Sequence, residues 1–193
     1  MAKLALERMF DNTDALLART ENPLHRKILI NWRRHSCLEI MGRYQEIFAP
    51  DLTVPHPVYH VHTDDSGTVV LDGRAAVEGF YRELTESGAS VMVGLDDHIA
   101  VNDWGFTIES DFHNFVPGAV LALMGMDVDD QEATYVINYQ QAMVWHYTDD
   151  GLLIGENIYG GTRTITKPDS EDVITLTDAV EILTPILAAT PQS

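Results

Sequence analysis

The chain has 193 residues, of which 45% are hydrophobic and 22% charged, with a formal net charge of −18 at pH 7. This length and composition predict one folded domain with a buried core and exclude a disordered chain. The acidity argues against nucleic acid and anionic membrane surfaces as partners, because both require basic patches. We expect no membrane span, since no segment has the roughly 20 consecutive apolar residues that one needs.

The first part of the chain is predicted to be helical. Apolar side chains recur at helical spacing over residues 3–19, and Asn22-Pro23 is typical of a helix N-terminus. The helix that begins there is predicted to run over about 23–48. It contains the single cysteine, Cys37, which has no partner for an internal disulfide. We therefore expect a cytoplasmic protein and a packing role for this thiol.

After residue 51 the pattern changes from helices to strands. Pro55 and Pro57 predict a broken or edge strand, and residues 63–67 are predicted to form a turn. The following elements are a helix over 72–88, long strands at about 90–101, 104–115, 133–148 and 152–163, and a short helix in the tail. Helices followed by sequential strands predict an α+β fold with an antiparallel sheet. The connection 116–133 is too long for a tight hairpin, and both a lid and a loop wrapped over the surface fit it.

The strand segment TIESDFHNF, residues 107–115, has two faces of different character. Side chains alternate along a strand, so Glu109, Asp111 and His113 share one face, while Ile108 and Phe112 share the other. Either the charged row is solvated and the apolar row faces the core, or the charged row lines a pocket. Periodicity alone favours the solvated row.

Local catalytic motifs are missing. The sequence has no glycine-rich phosphate loop, GxSxG elbow, HExxH or paired CxxC motif. His56, His60 and His62 lie close together in VPHPVYHVH and, with His113 or Asp111, are candidate metal ligands. Histidine pairs outside a matching motif are mostly not ligands, so we predict no metal and no other cofactor.

Three segments carry a family resemblance: FAPDLTV after a helix, DGRAAVEGFYREL, and WHYTDDGLLIGENIY. Over residues 24–163 the chain resembles the nuclear transport factor 2-like superfamily and, within it, the SnoaL-like proteins. The resemblance implies a cone-shaped, cystatin-like α+β barrel, in which a curved antiparallel sheet wraps around N-terminal helices and encloses a small-molecule pocket. It implies a single domain over 1–193, with an extra N-terminal helix at 1–22, a core cone at 24–163 and a C-terminal tail with a short helix at 164–193. A homodimer through the convex face of the sheet is also implied.

The superfamily includes polyketide cyclases, dehydratases, isomerases, epoxide hydrolases, lyases and proteins without catalysis, so the fold does not name a reaction. Comparison with the limonene epoxide hydrolases places His56 where that branch has a polar water-positioning residue. Asp111 and His113 fall where it has a catalytic arginine and aspartate, and its second carboxylate position falls on Ile158. The arginine and that carboxylate are missing here, so the resemblance does not imply the epoxide hydrolase mechanism.

The same comparison implies a strand register in which Glu109, Asp111 and His113 face the pocket. A slip of one residue would reverse this assignment. The residues predicted to bind substrate are Glu109, Tyr139, Gln141, Met143, Trp145, Glu156 and Trp32.

Together with these residues, the resemblance to SnoaL-like proteins implies a cofactor-independent enzyme that dehydrates, isomerises, cyclises or hydrates a small, mostly apolar molecule by general acid–base chemistry. His113 is the predicted acid or base, Asp111 its orienting carboxylate, and His56 the third catalytic residue, which binds a polar group of the substrate. One alternative is a non-catalytic ligand-binding or assembly protein of the same fold. Another is a metal-dependent enzyme that uses His56, His60, His62 and His113.

Overall fold

A computed structural model describes residues 2–63 and 67–191, so the predicted turn at 63–67 lies largely outside the described residues. The α-helices are α1 (Ala2–Arg8), α2 (Asp11–Arg19), α3 (Pro23–Ile40), α4 (Arg74–Glu86), α5 (Gly118–Leu123) and α6 (Leu176–Ala189). The strands are β1 (Val58–Thr63), β2 (Gly67–Asp72), β3 (Met92–Asn102), β4 (Gly105–Pro117), β5 (Thr134–Tyr147), β6 (Leu153–Gly160) and β7 (Thr164–Thr166). Within the described ranges, none of the helices is both long and apolar enough to cross a membrane.

The helices of the first 48 residues differ from the sequence prediction at two places. The segment predicted as one helix over 3–19 is two helices, α1 and α2, with a turn at residues 9–10. Helix α3 begins as predicted, because the Asn22 side chain accepts hydrogen bonds from the next free backbone N–H groups. It ends earlier than predicted, since Gly42 adopts a left-handed φ of 69°, and residues Tyr44–Phe48 form a separate 3-10 helix.

The strands form one mixed sheet in the order β2-β1-β6-β5-β4-β3, and β7 pairs with the remaining part of β5. Every pairing is antiparallel except that of β1 with β6, which is parallel. The prediction of a fully antiparallel sheet is wrong at this pairing. Because about 90 residues separate β1 from β6, no hairpin connection sets their relative direction.

The sheet curves around α3, which packs on its inner face. The Trp32 ring makes an edge contact with Phe106 at 5.5 Å between centroids, and His35 makes one with Trp145 at 4.7 Å. Buried side chains from Leu6 near the N-terminus to Leu183 in α6 belong to one hydrophobic cluster. Burial of this apolar surface is the main stabilising contribution, and it holds the helices inside the curved sheet. The α+β fold prediction is confirmed.

Candidate active site

A cavity of about 540 Å³ lies between α3, α4 and the inner face of the sheet. Alternate residues of β4 and β5 form its floor, because residues directly paired in an antiparallel ladder point to the same face. Ser110 pairs with Gln141, Phe112 with Tyr139, and Ile108 with Met143, and all six line the cavity.

The charged row of β4 lies on the opposite, outer face of the sheet. Glu109 is exposed, and Asp111 pairs with Gln140. His113 Nδ1 lies 2.7 Å from Asn138 Oδ1, beside apolar side chains of that outer face. The prediction that Glu109, Asp111 and His113 face the cavity is therefore wrong. The resemblance-based register was displaced by one residue, and the charged row had to turn outward once Phe112 turned inward.

His56 also lies outside the cavity. Its side chain is 71% exposed, and Nε2 lies 2.8 Å from Asp72 Oδ1. The prediction that His56 lies at the pocket is wrong. The proline-flanked loop before β1 lies at the rim of the sheet, and it turns the His56 ring toward solvent.

The histidines of the alternative metal hypothesis do not converge. His60 and His62 lie on β1, and His113 lies on β4, with β6 and β5 between them. At about 4.8 Å per strand spacing, β1 and β4 are roughly 14 Å apart. Within residues 2–63 and 67–191, no three or more His, Cys, Asp or Glu side chains are grouped as metal ligands.

The predicted substrate-binding residues on the other elements do reach the cavity. Its walls include Tyr139, Gln141, Met143, Trp145, Glu156 and Trp32. Their role in binding stays a prediction. The Trp145 indole Nε1 is buried and, in the described part of the chain, has no hydrogen-bond partner.

The closed end of the cavity holds a cluster of polar side chains that we call the Glu156 cluster: the buried His35, Tyr59, Tyr81 and Glu156, and the partly exposed Glu39. Tyr81 Oη donates a hydrogen bond to Glu156 Oε1 at 3.3 Å. His35 Nε2 lies 2.9 Å from Tyr81 Oη and 3.6 Å from Glu39 Oε2. Tyr59 Oη lies 3.4 Å from Tyr81 Oη. Helices α3 and α4 thus place the His35 imidazole, the Tyr81 phenol and the Glu39 carboxylate near one another. These three groups lie beside the Glu156 carboxyl group of the sheet.

The pKa of Glu156 is raised well above its ordinary value, chiefly because burial penalises the carboxylate and secondly because Glu39 repels it. The hydrogen bond from Tyr81 opposes this rise. Burial likewise raises the pKa of the Tyr81 phenol. Both effects favour the protonated forms, so this end of the cavity presents a neutral carboxylic acid and a phenol, which are both proton donors.

A second buried carboxyl group, Asp97, lies in another part of the cavity wall. Strand β3 is irregular between Leu95 and His98, and Asp96 has a positive φ of 54°. A bulge of this kind re-aims a side chain, and Asp97 here accepts a hydrogen bond from the Ser110 hydroxyl. Burial raises the pKa of Asp97, although the Ser110 hydrogen bond opposes the shift.

Sequence reasoning missed His35, Glu39, Tyr81 and Asp97 as site residues. A signal existed for two of them, because His35 and Glu39 interrupt the apolar stripe of α3 at a spacing of four residues. Asp97 had no such signal, since strict alternation does not hold across a bulge.

Comparisons with known proteins are informative at the level of the fold. No protein-family model matches the chain, and no curated protein matches its sequence. A solved structure assigned as a SnoaL-like polyketide cyclase from Jannaschia sp. CCS1 superposes with a TM-score of 0.55 at 10% identity, covering 74% of this chain and 90% of that one. A nuclear transport factor 2-like protein from Anabaena variabilis has a TM-score of 0.49 at 12% identity, covering 74% and 94%. The epoxide hydrolase/cyclase-like enzyme SalBIII of pyran ring formation in salinomycin has a TM-score of 0.44 at 13% identity, covering 71% and 90%.

The chain therefore shares its α+β fold with the solved structure assigned as a SnoaL-like polyketide cyclase. The fold that the resemblance of the three sequence segments implied is confirmed.

Proposed function

We propose that the protein is a cofactor-independent enzyme that performs general acid–base chemistry on a small, mostly apolar molecule in the cavity, and that it acts in the cytoplasm. The observation that carries this proposal is the buried Glu156 carboxyl with its Tyr81 hydrogen bond at the closed end of an apolar cavity. Carboxyl groups whose pKa burial has raised are suited to donate protons near neutral pH.

In the proposed chemistry, the Glu156 carboxyl donates a hydrogen bond to an oxygen atom of the substrate, while the hydrogen bond from Tyr81 to Oε1 holds the carboxyl group in place. Glu156 stabilises negative charge that develops on the substrate oxygen and transfers its proton when the oxygen leaves or becomes a hydroxyl. Glu39 also lines the cavity. It accepts a proton from the substrate carbon next to the one that carries this oxygen. Proton donation and proton removal then balance, as dehydration and isomerisation both require.

The test uses a panel of hydroxy, epoxy and enone compounds with apolar bodies, with turnover followed by mass spectrometry. We expect Glu156→Gln to lower kcat on the order of 10²-fold or more on any compound that the wild type converts. Glu109→Gln is the matched control, because it makes the same substitution on the outer face of the sheet and should leave kcat unchanged. Wild-type turnover by Glu156→Gln would refute the assignment.

A second candidate function is ligand binding without catalysis. It is supported by Ile158, which occupies a wall position where the epoxide hydrolase branch has a carboxylate and which brings no chemical group to the cavity. In this case compounds of the panel bind with measurable affinity, but none is converted by the wild type at any pH.

We also propose a homodimer through the outer face of the sheet. This face exposes Ile154 and Tyr159 of β6, at 40% and 46% of their surface, and Tyr159 is stacked on His62 at 4.4 Å. Tyr159→Glu would place a charge in that interface. We expect sedimentation velocity to show a dimer for the wild type and a monomer for this variant, and a monomeric wild type would contradict the proposal.

A further inference from the structure

One arginine, Arg163, contributes to the wall of the cavity just after β6. Its guanidinium lies over the Tyr139 ring, 5.7 Å from the ring centroid. Across residues 2–63 and 67–191, Arg163 makes no salt bridge, whereas Arg33 and Arg34 are each paired with an aspartate. An arginine without an ion-pair partner is unexpected in the wall of a cavity, because partial burial of a charge is costly unless the charge is paired.

Arg163 lies far from Glu156 along the sheet. Glu156 pairs with Trp145 on β5, and Tyr139, beneath Arg163, lies six residues away along the same strand. At about 3.3 Å per residue this separation is roughly 20 Å. Between the two ends the inner side chains of β5 are Gln141 and Met143, and the neighbouring wall includes Ile108 and the Ser110–Asp97 pair. The cavity therefore has proton donors at its closed end, a cation at its other end, and between them a wall that combines apolar side chains with this polar group.

The other charged groups that face this space are acidic. Glu39 and Glu83 line the cavity, and Glu39 and Arg163 act on the Tyr139 phenol in opposite directions. Burial raises the pKa of Tyr139 to about 12, so the phenol is neutral and available as a further hydrogen-bond donor next to the guanidinium. At physiological ionic strength, charges beyond about 8 Å are largely screened, so the net acidity of the chain does not cancel the local attraction of Arg163 for an anion.

We propose that Arg163 binds an anionic group of the ligand, and that the cavity takes an elongated apolar molecule with a carboxylate or a comparable anion at one end. A planar guanidinium matches such an oxyanion with two parallel hydrogen bonds. This inference deepens the proposed function and rests on it, since it concerns the ligand of the same cavity. Its test measures binding without turnover, so that failure of the ligand assignment and failure of the catalytic assignment give different results.

The test compares two fluorescent probes with the same apolar body. 1-Anilinonaphthalene-8-sulfonate carries an anionic sulfonate, and N-phenyl-1-naphthylamine lacks it. Dissociation constants are measured at equilibrium for the wild type, Arg163→Gln, Arg163→Lys and the control Arg19→Gln. Arg19 is exposed on α2 and does not line the cavity, so its replacement makes the same change in net charge elsewhere.

We expect Arg163→Gln to weaken binding of the sulfonate on the order of tenfold, which is the effect of losing one charge-assisted contact, and to leave the neutral probe within twofold. Arg163→Lys should retain part of the sulfonate affinity, and Arg19→Gln should change neither constant. The proposal is overturned if Arg163→Gln weakens both probes equally, if Arg19→Gln has the same effect as Arg163→Gln, or if the wild type shows no saturable sulfonate binding. A selective loss in Arg163→Gln supports the ligand assignment even if Glu156→Gln keeps full activity.

Discussion

The Tyr81 hydroxyl lies 3.3 Å from Glu156 Oε1, and both side chains are almost fully buried, at 2% and 4% exposure. The contact joins helix α4 to strand β6 across the closed end of the cavity. A buried carboxyl group costs least when it is neutral and hydrogen-bonded. Glu156 has the hydrogen bond from Tyr81, and burial raises its pKa in favour of the neutral form. The protonation state of Glu156 is therefore coupled to the stability of the fold.

This coupling predicts a pH-dependent effect of Glu156→Gln on stability. Because the folded-state pKa of Glu156 is raised, the folded protein binds this proton more tightly than the unfolded chain. The resulting stabilisation is fully present below the ordinary glutamate value of 4.5 and is lost as pH rises through the raised pKa. We expect urea denaturation to show that Glu156→Gln gains stability relative to the wild type as pH rises. A difference independent of pH would contradict this, and Glu109→Gln serves as the control.

The backbone at the β3 bulge predicts a second effect. Asp96 has a φ of 54°, in the left-handed region that costs most L-residues about 1–2 kcal/mol and that β-branched residues tolerate poorly. Asp96→Gly should keep or slightly raise the free energy of unfolding, whereas Asp96→Val should lower it by about 2 kcal/mol. Glu109→Val, on extended and exposed strand, should have little effect. Equal stability of Asp96→Val and Asp96→Gly would show that the bulge is not under this constraint.

The parallel pairing of β1 with β6 predicts a third effect. A Cβ atom at Gly155 would overlap the backbone carbonyl of Val58, so the two strands approach this closely only with glycine there. We expect Gly155→Ala to lower the free energy of unfolding by about 3 kcal/mol, at the upper end of the range for overpacked sites. Gly160→Ala, on the same strand, meets its nearest atom at 4.0 Å and should be tolerated. Similar denaturation midpoints for both variants would be inconsistent with the close approach.

The buried cysteine predicts a fourth effect, on thiol reactivity. Burial raises the pKa of the Cys37 thiol to about 12, and the neighbouring Arg33 charge only partly offsets this. Since the thiolate is the reactive form, Cys37 should not react with a disulfide reagent at pH 8 in the folded protein. One equivalent should react at once in guanidinium chloride. Rapid labelling of the folded protein would contradict this prediction and would indicate local opening of α3.

The inner residues of β5 and β6 were assigned correctly from the sequence, whereas the register taken from the resemblance assigned those of β4 to the wrong face. Tyr139 was assigned to the inner face, and the structure pairs it directly with Phe112. Phe112 therefore shares its face, and Asp111 and His113 turn outward. The pairing of residues across strands depends on tertiary contacts, which a single sequence does not state. The apolar alternation of β4 alone favoured the observed face.

The candidate acid–base residues of the site could also be predicted only in part from the sequence, but for a different reason. Glu156 was named from its strand, but its partner Tyr81 comes from α4, 75 residues earlier in the chain. Tyr81 reads as an ordinary apolar position of an amphipathic helix, because its ring is buried in the core. Its hydroxyl becomes part of the proposed site only when the fold brings it to Glu156.

The positions of the three tryptophans have a practical consequence. Trp32 and Trp145 lie in the cavity wall, while Trp104 lies at the β3–β4 turn with 46% of its surface exposed. Replacing Trp104 with phenylalanine would leave a protein whose intrinsic emission arises only from indoles beside the cavity. Such a protein would carry its own optical reporter of occupancy, and compound libraries could be screened with it before any reaction is known.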